Sequence, residues 1–302
     1  MNLQFVADGL LAGSVIGLGA IGVTLTYSIL RFANFAHGEF IAWGAYGALT
    51  LTAFIGFLVG HDVAPLGPFS FGWPLLLAGI VAMALTGVLA LALDVVLFSR
   101  LRARGNAIVM VMASFGASMA LRSLLEFFFT SQPAYFTRDI QIAIPLSGGV
   151  RVTPDQLLTF ALAMVLVVVM FLTMSRTTIG RAMRAVSENP MLASVVGVDV
   201  VGVVRATWLM GGGLACAAGV MVGITVQIRP TMGFDLLLPL FAAAILGGIG
   251  SMPGAIVGGL IVGVAEAAAV PLVGAGYRGA VAFLVLIAVL IVKPTGLFGL
   301  RE

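Results

Sequence analysis

Charged residues are scarce in this sequence and make up only 9% of its 302 residues. A soluble globular domain carries roughly a quarter charged residues, so a soluble chain of this length would lack the polar surface to cover itself. Hydrophobic residues make up 61% of the sequence. The composition therefore excludes an ordinary soluble domain and predicts an integral membrane protein surrounded by a lipid bilayer.

Lysine, cysteine and histidine are almost absent as well. Lys293 is the single lysine, and no basic patch interleaved with aromatic residues occurs, which argues against nucleic acid as a partner. Cys216 is the single cysteine, which excludes an intrachain disulfide. The two histidines, His37 and His61, do not form the HExxH pattern of a metalloprotease. We expect no metal and no cofactor.

Two motifs of enzymes are also missing. The sequence contains neither GxxxxGKS nor GxxxxGKT, so it has no P-loop for ATP. The stretch 250–254 reads GSMPG, which does not have the GxSxG spacing of a hydrolase elbow. We therefore expect that this chain is not an enzyme and that any ATP hydrolysis takes place on separate subunits.

Long uncharged runs follow one another along the chain. A bilayer core of about 30 Å needs roughly 20 apolar residues in a helix, and continuous runs favour helices over the alternating segments of a β-barrel. The predicted fold class is all-α, a polytopic membrane protein with about eight or nine transmembrane or re-entrant helices in a single domain, 1–302. The predicted spans are 9–30, 40–59, 74–98, 106–129, 155–175, 206–227, 236–250 (short enough to be re-entrant), 254–271 and 278–293.

Basic residues divide unevenly between the two sides of this predicted bundle. With nine spans and the N-terminus outside, ten fall on one side and four on the other, and positive residues are retained on the cytoplasmic side. The segment 176–205 is then the longest cytoplasmic loop. The ten are Arg31, Arg100, Arg102, Arg104, Arg176, Arg181, Arg184, Arg205, Lys293 and Arg301, and the four are Arg138, Arg151, Arg229 and Arg278.

Glycine is abundant, and many of the 39 glycines recur every fourth residue. Stripes of small residues let membrane helices approach closely, so we interpret them as packing surfaces, with sliding during transport as the alternative. A different glycine cluster, in LGGIGSMPGAIVGG at 246–259, disfavours a continuous helix. It predicts a turn between two short helices, with Gly247, Gly248 and Gly250 as pathway or gate candidates.

The stretch NFAHGE, residues 34–39, places polar groups next to long apolar runs. One interpretation is a helix start, in which Asn34 caps the second span and Glu39 lies in its first turn. The other is that Asn34, His37 and Glu39 line the inner mouth of a pathway or form its gate, because ionisable residues near the hydrocarbon are costly and mark pathways. Further along, Arg122 and Glu126 have the spacing of an ion pair on one helix face.

The loop 176–205 has the pattern of two short helices interrupted by Asn189-Pro190. The second is expected to end at Gly197, a common helix stop. Its apolar face would lie outside the membrane, which indicates docking to a partner, or else packing on the protein's own helix ends. The candidates for coupling to an ATPase are Arg181, Arg184, Glu188, Leu192, Val196 and Gly197.

Four motifs in order carry a resemblance to a known family. They are NFAHGE followed by GAYGAL, then RAVSENPMLASVVGVDV, ILGGIGSMPGAIVGGLIVG and KPTGLFG. Nearly end to end, the sequence resembles the permease subunits of the branched-chain (hydrophobic) amino-acid ABC importers, specifically the LivH-like half. The resemblance implies an ABC importer permease fold in a bacterial inner membrane, with 181–197 acting as the coupling segment.

The resemblance also implies partners and a mechanism. A second permease subunit (LivM-like or another copy), two cytoplasmic P-loop ATPases and a periplasmic substrate-binding protein would complete the importer. ATP binding would drive alternating access for branched-chain amino acids. One alternative is the same architecture carrying urea, amides or another small polar solute. A second is an ion-coupled secondary transporter, although no repeated halves are visible in the sequence. A third is an intramembrane enzyme.

Overall fold

Helices account for nearly all regular structure in the computed structural model, which describes residues 3–60, 64–102, 105–137, 141–146, 149–293 and 295–299. His61, Arg104, Arg138 and Arg301, used above, lie outside these ranges. The elements are α1 Leu3–Leu30, α2 His37–Val59, α3 Trp73–Leu93 followed by a π-helical turn Asp94–Phe98, α4 Ser99–Arg102, α5 Ala107–Phe129, β1 Ile144–Pro145, β2 Arg151–Val152, α6 Pro154–Arg176, α7 Thr178–Glu188, α8 Pro190–Val195, α9 Val200–Thr225, α10 Met232–Gly247, α11 Met252–Val273, a 3-10 turn Ala275–Tyr277, and α12 Arg278–Val292.

Seven segments of the described chain are helical, long and apolar enough to cross a membrane, and α10 and α12 are shorter apolar helices. Uncharged segments become helices because a helix satisfies its own backbone N–H and C=O groups where water is absent. The predicted polytopic all-α class is therefore confirmed. The first helix begins at Leu3, before the predicted span, and in its first turns Gln4 Nε2 donates to Oδ1 of Asp8 at 2.8 Å.

Local sequence signals set several helix ends. α6 begins with a capping box, in which Thr153 Oγ1 accepts from the backbone N–H of Gln156 and the Gln156 side chain accepts from the backbone N–H of Thr153. The short antiparallel pair β1–β2, with Ile144 opposite Val152, precedes this box. α10 ends at Gly247 instead of the predicted residue 250, because Gly248 has φ 97° and leaves the helical conformation.

The centre of the bundle is α1, which packs antiparallel on α11 through glycine. A β-carbon at Gly13 would lie 2.8 Å from the carbonyl oxygen of Gly259, and one at Gly17 would lie 3.2 Å from the α-carbon of Ile256. On α9, a β-carbon at Gly211 would lie 3.2 Å from the side-chain Cγ2 of Thr26 of α1. The predicted use of these small-residue stripes for packing is confirmed.

Replacing Gly13 by alanine should destabilise the protein by about 1–3 kcal/mol, the usual cost of overpacking, because the new methyl group meets the backbone of α11. The matched control is Gly116→Ala on α5, where a β-carbon has no neighbour within 4 Å and alanine favours helix. Thermal unfolding of both variants in detergent measures the difference. Equal unfolding temperatures would contradict this account of the packing.

Candidate functional site

The loop 31–36 and the first turn of α2 carry the polar residues predicted as pathway or gate candidates. Asn34, His37 and Glu39 are buried, with 3%, 1% and 0% of their surfaces exposed. The loop leaves the end of α1 and enters the bundle, so these side chains lie among helices. Polar groups at such positions need partners inside the protein.

Glu39 forms an ion pair with Arg122 of α5. Nη2 of Arg122 lies 2.8 Å from Oε1 of Glu39, and Oγ of Ser118 donates to the same oxygen at 3.0 Å. The guanidinium carbon of Arg122 lies 4.5 Å from the ring centroid of Phe234 in α10, a cation–π contact. The spacing of Arg122 and Glu126 allowed a pair within α5, but Arg122 pairs with Glu39 because the first turn of α2 packs on α5.

These contacts lie well inside α5, far from its ends. The backbone N–H of Phe35 donates to Oγ of Ser114 at 3.1 Å, and Ser114 lies about 10 Å from the start of α5 at 1.5 Å per residue. By the same rise, Ser118 lies about 16 Å from that start and Arg122 about 22 Å, in a helix about 34 Å long. Glu39 is therefore held beside the middle of α5.

Asn34 orders the loop and does not cap the helix. Its Oδ1 accepts from the backbone N–H of Ala36 at 3.1 Å, and its carbonyl accepts from the N–H of His37 at 3.3 Å. This is a local turn of the kind that asparagine favours. Ala36 precedes α2, and no side chain caps the helix there. The helix-start interpretation is correct for Glu39, which lies in the first turn, and wrong for Asn34.

His37 fills the space that Gly22 leaves on α1. A β-carbon at Gly22 would lie 2.7 Å from Cε1 of His37, so a larger residue would displace the imidazole. The rings of His37 and Phe40 meet edge to face with centroids 6.3 Å apart, and Phe40 meets Trp208 of α9 in the same way at 6.4 Å. The imidazole is therefore fixed between α1, α2 and α9.

The second group of pathway candidates, Gly247, Gly248 and Gly250, forms the turn between α10 and α11. Gly248 and Gly250 have φ of 97° and 92°, values that glycine adopts without strain. The backbone N–H of Phe298 donates to the carbonyl of Gly247 at 3.0 Å, so the C-terminal segment closes over this turn. The predicted break in the helical structure is confirmed.

The length of α10 separates the two groups of candidates. At its start, a β-carbon on Gly38 would lie 2.5 Å from the carbonyl oxygen of Gly233, so α10 meets the first turn of α2. Gly247 lies about 21 Å further along at 1.5 Å per residue. The two groups therefore do not form one site.

The two short helices predicted in the loop after α6 are confirmed as α7 and α8. Oδ1 of Asn189 accepts from the backbone N–H groups of Met191 and Leu192 at 3.0 and 3.1 Å and so caps α8. Gly197, with φ 87°, follows its end. The Asn-Pro pair thus ends α7 and starts α8, as the sequence indicated.

One face of α8 is apolar and uncovered. Leu192 and Val195 of α8 and Val196 directly after it expose 63%, 78% and 78% of their surfaces, whereas Ala193 is buried. The alternative that this apolar face packs on the protein's own helix ends is therefore wrong. An uncovered apolar surface of this kind is a candidate interaction site.

The charged candidates on α7 divide into two kinds. Arg181 and Glu188 are exposed. Arg184 is also exposed, but part of its guanidinium is used within the chain, because its Nη1 donates to the backbone carbonyl of Met174 in α6. Only Arg181 and Glu188 therefore have their whole charged group available to contact a partner.

The sequence alone did not identify the polar residues of α5 that bond to the loop 31–36 and to Glu39. Ser114, Ser118 and Arg122 are spaced by four residues, which places them on one face of α5, and this stripe was a readable signal.

At the π-helical turn, Asp94 pairs with Arg102. Such turns inside helices often occur at functional sites.

Comparisons with known proteins agree with this architecture. Residues 5–290 match the family described as branched-chain amino acid transport system, permease component. The high-affinity branched-chain amino acid transport system permease protein BraD of Pseudomonas aeruginosa is 32% identical over 305 residues, 99% of this chain and 96% of that protein. LivH of Escherichia coli K12 is 31% identical over 306 residues with the same coverage.

Among solved structures, a chain of PsaBC from Streptococcus pneumoniae in complex with Fab has a TM-score of 0.50 over 97% of this chain and 93% of that chain. At 14% identity the likeness shows the fold alone. The family model and the relatives, in contrast, cover nearly the whole length. This protein belongs to the family of branched-chain amino acid transport system permease components.

Proposed function

We propose that this chain is the LivH-like permease subunit of an ATP-driven importer for branched-chain amino acids in a bacterial inner membrane. The end-to-end match with BraD and LivH, whose names state this transport, is the observation that carries the proposal. The seven long apolar helices are those of a multi-pass membrane protein. The chain supplies the solute pathway and opens it alternately to each side.

A second permease subunit, two cytoplasmic ATPases and a periplasmic binding protein complete the importer. The absence of a P-loop sequence supports separate ATPases. The exposed apolar face of α8 supports their docking at this loop, because it offers a partner a surface that the chain itself leaves uncovered. Movement of α7 and α8 with the ATPases would then drive the membrane helices.

We assign to the solute pathway the polar cluster that Glu39 of α2 forms with Ser118 and Arg122 of α5. A charged pair beside the middle of a membrane helix is costly, and such pairs mark pathways. Among the described residues, Oε2 of Glu39 and Nε of Arg122 have no hydrogen-bond partner. The pair therefore keeps one acceptor and one donor that no described group satisfies.

Charge reversal at the end of α7 tests the docking surface. We expect Glu188→Arg to lower co-purification of the ATPases about tenfold, because an exposed charge at a docking surface helps to select its partner. Arg151→Glu, an exposed charge reversal on β2, is the control and should leave the complex intact. The measurement is the stoichiometry of a gentle pull-down from membranes.

Two results would contradict the docking proposal. One is wild-type stoichiometry of the ATPases in Glu188→Arg. The other is a wild-type chain that purifies without ATPases and still moves solute in liposomes.

Neutral replacement of the buried pair tests the pathway assignment. Glu39→Gln alone leaves Arg122 buried without its counter-charge, which destabilises by about 3–5 kcal/mol. The double variant Glu39→Gln, Arg122→Gln removes both charges and should fold with its ATPases bound. If the pair serves the pathway, the double variant should take up leucine at least about tenfold more slowly than wild type. This difference corresponds to an increase of about 1.4 kcal/mol in the free-energy barrier to transport.

Thermal unfolding and uptake are measured on the same preparations of the single and double variants. Recovery of both stability and uptake in the double variant would show that the pair is structural only and would remove it from the pathway.

A further inference from the structure

Arg31 links the loop 31–36 to the helices that we assign to ATPase docking. Its Nη2 donates to the backbone carbonyl of Ser187, which lies in the last turn of α7. The last carbonyls of a helix have no partner within the helix, and a cation is favoured beside them. Arg31 therefore caps α7 from another part of the chain, 156 residues away.

The backbone at Arg31 is unusual for a residue with a side chain. Its φ is 58°, in the left-handed region, and its N–H donates to the carbonyl of Tyr27 at 2.8 Å to end α1. Glycine is the residue that adopts this conformation freely. An observed outlier of this kind is grounds for a hypothesis of function, since the arginine side chain is kept where glycine would fit the backbone better.

The loop beyond Arg31 is held at successive points on its way into the bundle. The ring of Phe32 lies 5.3 Å from that of Phe98, which stacks on Trp208 of α9 at 5.3 Å and 8°. The backbone N–H of Phe35 bonds to Ser114 of α5. Because packed interiors have few voids and transmit strain, a displacement of the loop at its outer end reaches α2 and α5.

No other side-chain hydrogen bond joins α7 or α8 to this loop within the described ranges. The bond of Arg184 to Met174 ties α7 to α6, the helix that precedes it in the chain. Arg31 is therefore the side chain whose hydrogen bond ties α7 to this loop, and movement of α7 can pull or release through it the segment that ends at Glu39.

We propose that Arg31 is a positioning residue, which carries the movement of the docking helices α7 and α8 into the loop 31–36 and so to the Glu39–Arg122 pair. This inference rests on the proposed function. It assigns Arg31 no contact with solute or with ATP. Its effect is on the amount of solute moved for each ATP hydrolysed.

Three variants of the complete importer in proteoliposomes test this role. Arg31→Gly removes the side chain and suits the left-handed backbone, which offsets the lost cap of α7, so it should fold and assemble with thermal stability close to wild type. Its ratio of leucine uptake to ATP hydrolysis should fall about tenfold, within the usual range for coupling between two sites. Arg31→Lys keeps the cation and should recover part of the ratio.

Arg100→Ala is the control, because Arg100 is an exposed arginine on α4, and its ratio should equal that of wild type. A wild-type ratio in Arg31→Gly, beside an active wild-type complex, overturns the inference. Loss of the ATPases from Arg31→Gly overturns it too, since Arg31 would then serve assembly. A wild-type complex without ATP-dependent uptake overturns the proposed function, and this inference with it.

Discussion

Backbone contact at glycine holds this bundle together, because lipid offers apolar helices no hydrophobic reason to associate. Gly13 and Gly17 bring α11 so close to α1 that a β-carbon would touch its backbone. The same constraint shapes the polar site. Gly22, further along α1, leaves the space that the imidazole of His37 occupies, and Gly233 lets α10 meet the first turn of α2. The glycines therefore determine where buried polar groups fit.

The buried ion pair makes the second contribution to the structure, and it depends on the close helix packing at the glycines. An ion pair removed from water is favourable only when its geometry is good and further hydrogen bonds support it. Oε1 of Glu39 meets this condition with Arg122 and Ser118, both on α5, whereas Oε2 has no partner among the described residues. The loop that delivers Glu39 is itself attached to α7 through Arg31. A packed structure of this kind switches between arrangements and does not deform smoothly, which is what alternating access requires.

Much of the fold was predictable from sequence, because each long uncharged run has to satisfy its backbone internally. Local chemistry also predicted the break at Asn189 and the glycine turn after α10. The site was less predictable. Glu39 and Arg122 are 83 residues apart, and their pairing depends on a tertiary contact between α2 and α5 that no local pattern states. For the same reason the spacing of Arg122 and Glu126 indicated the wrong partner, and the position of Arg31 against α7 had no sequence signal.

In the proposed importer, ATP hydrolysis by partner subunits moves a branched-chain amino acid through this chain. The most direct test is uptake of labelled leucine by proteoliposomes that hold the purified complex, with binding protein outside and ATP inside. We expect leucine uptake that requires both ATP and the binding protein, and none when a sodium or proton gradient replaces ATP. Leucine uptake driven by an ion gradient in liposomes that contain this chain alone would overturn the proposed ATP-driven import.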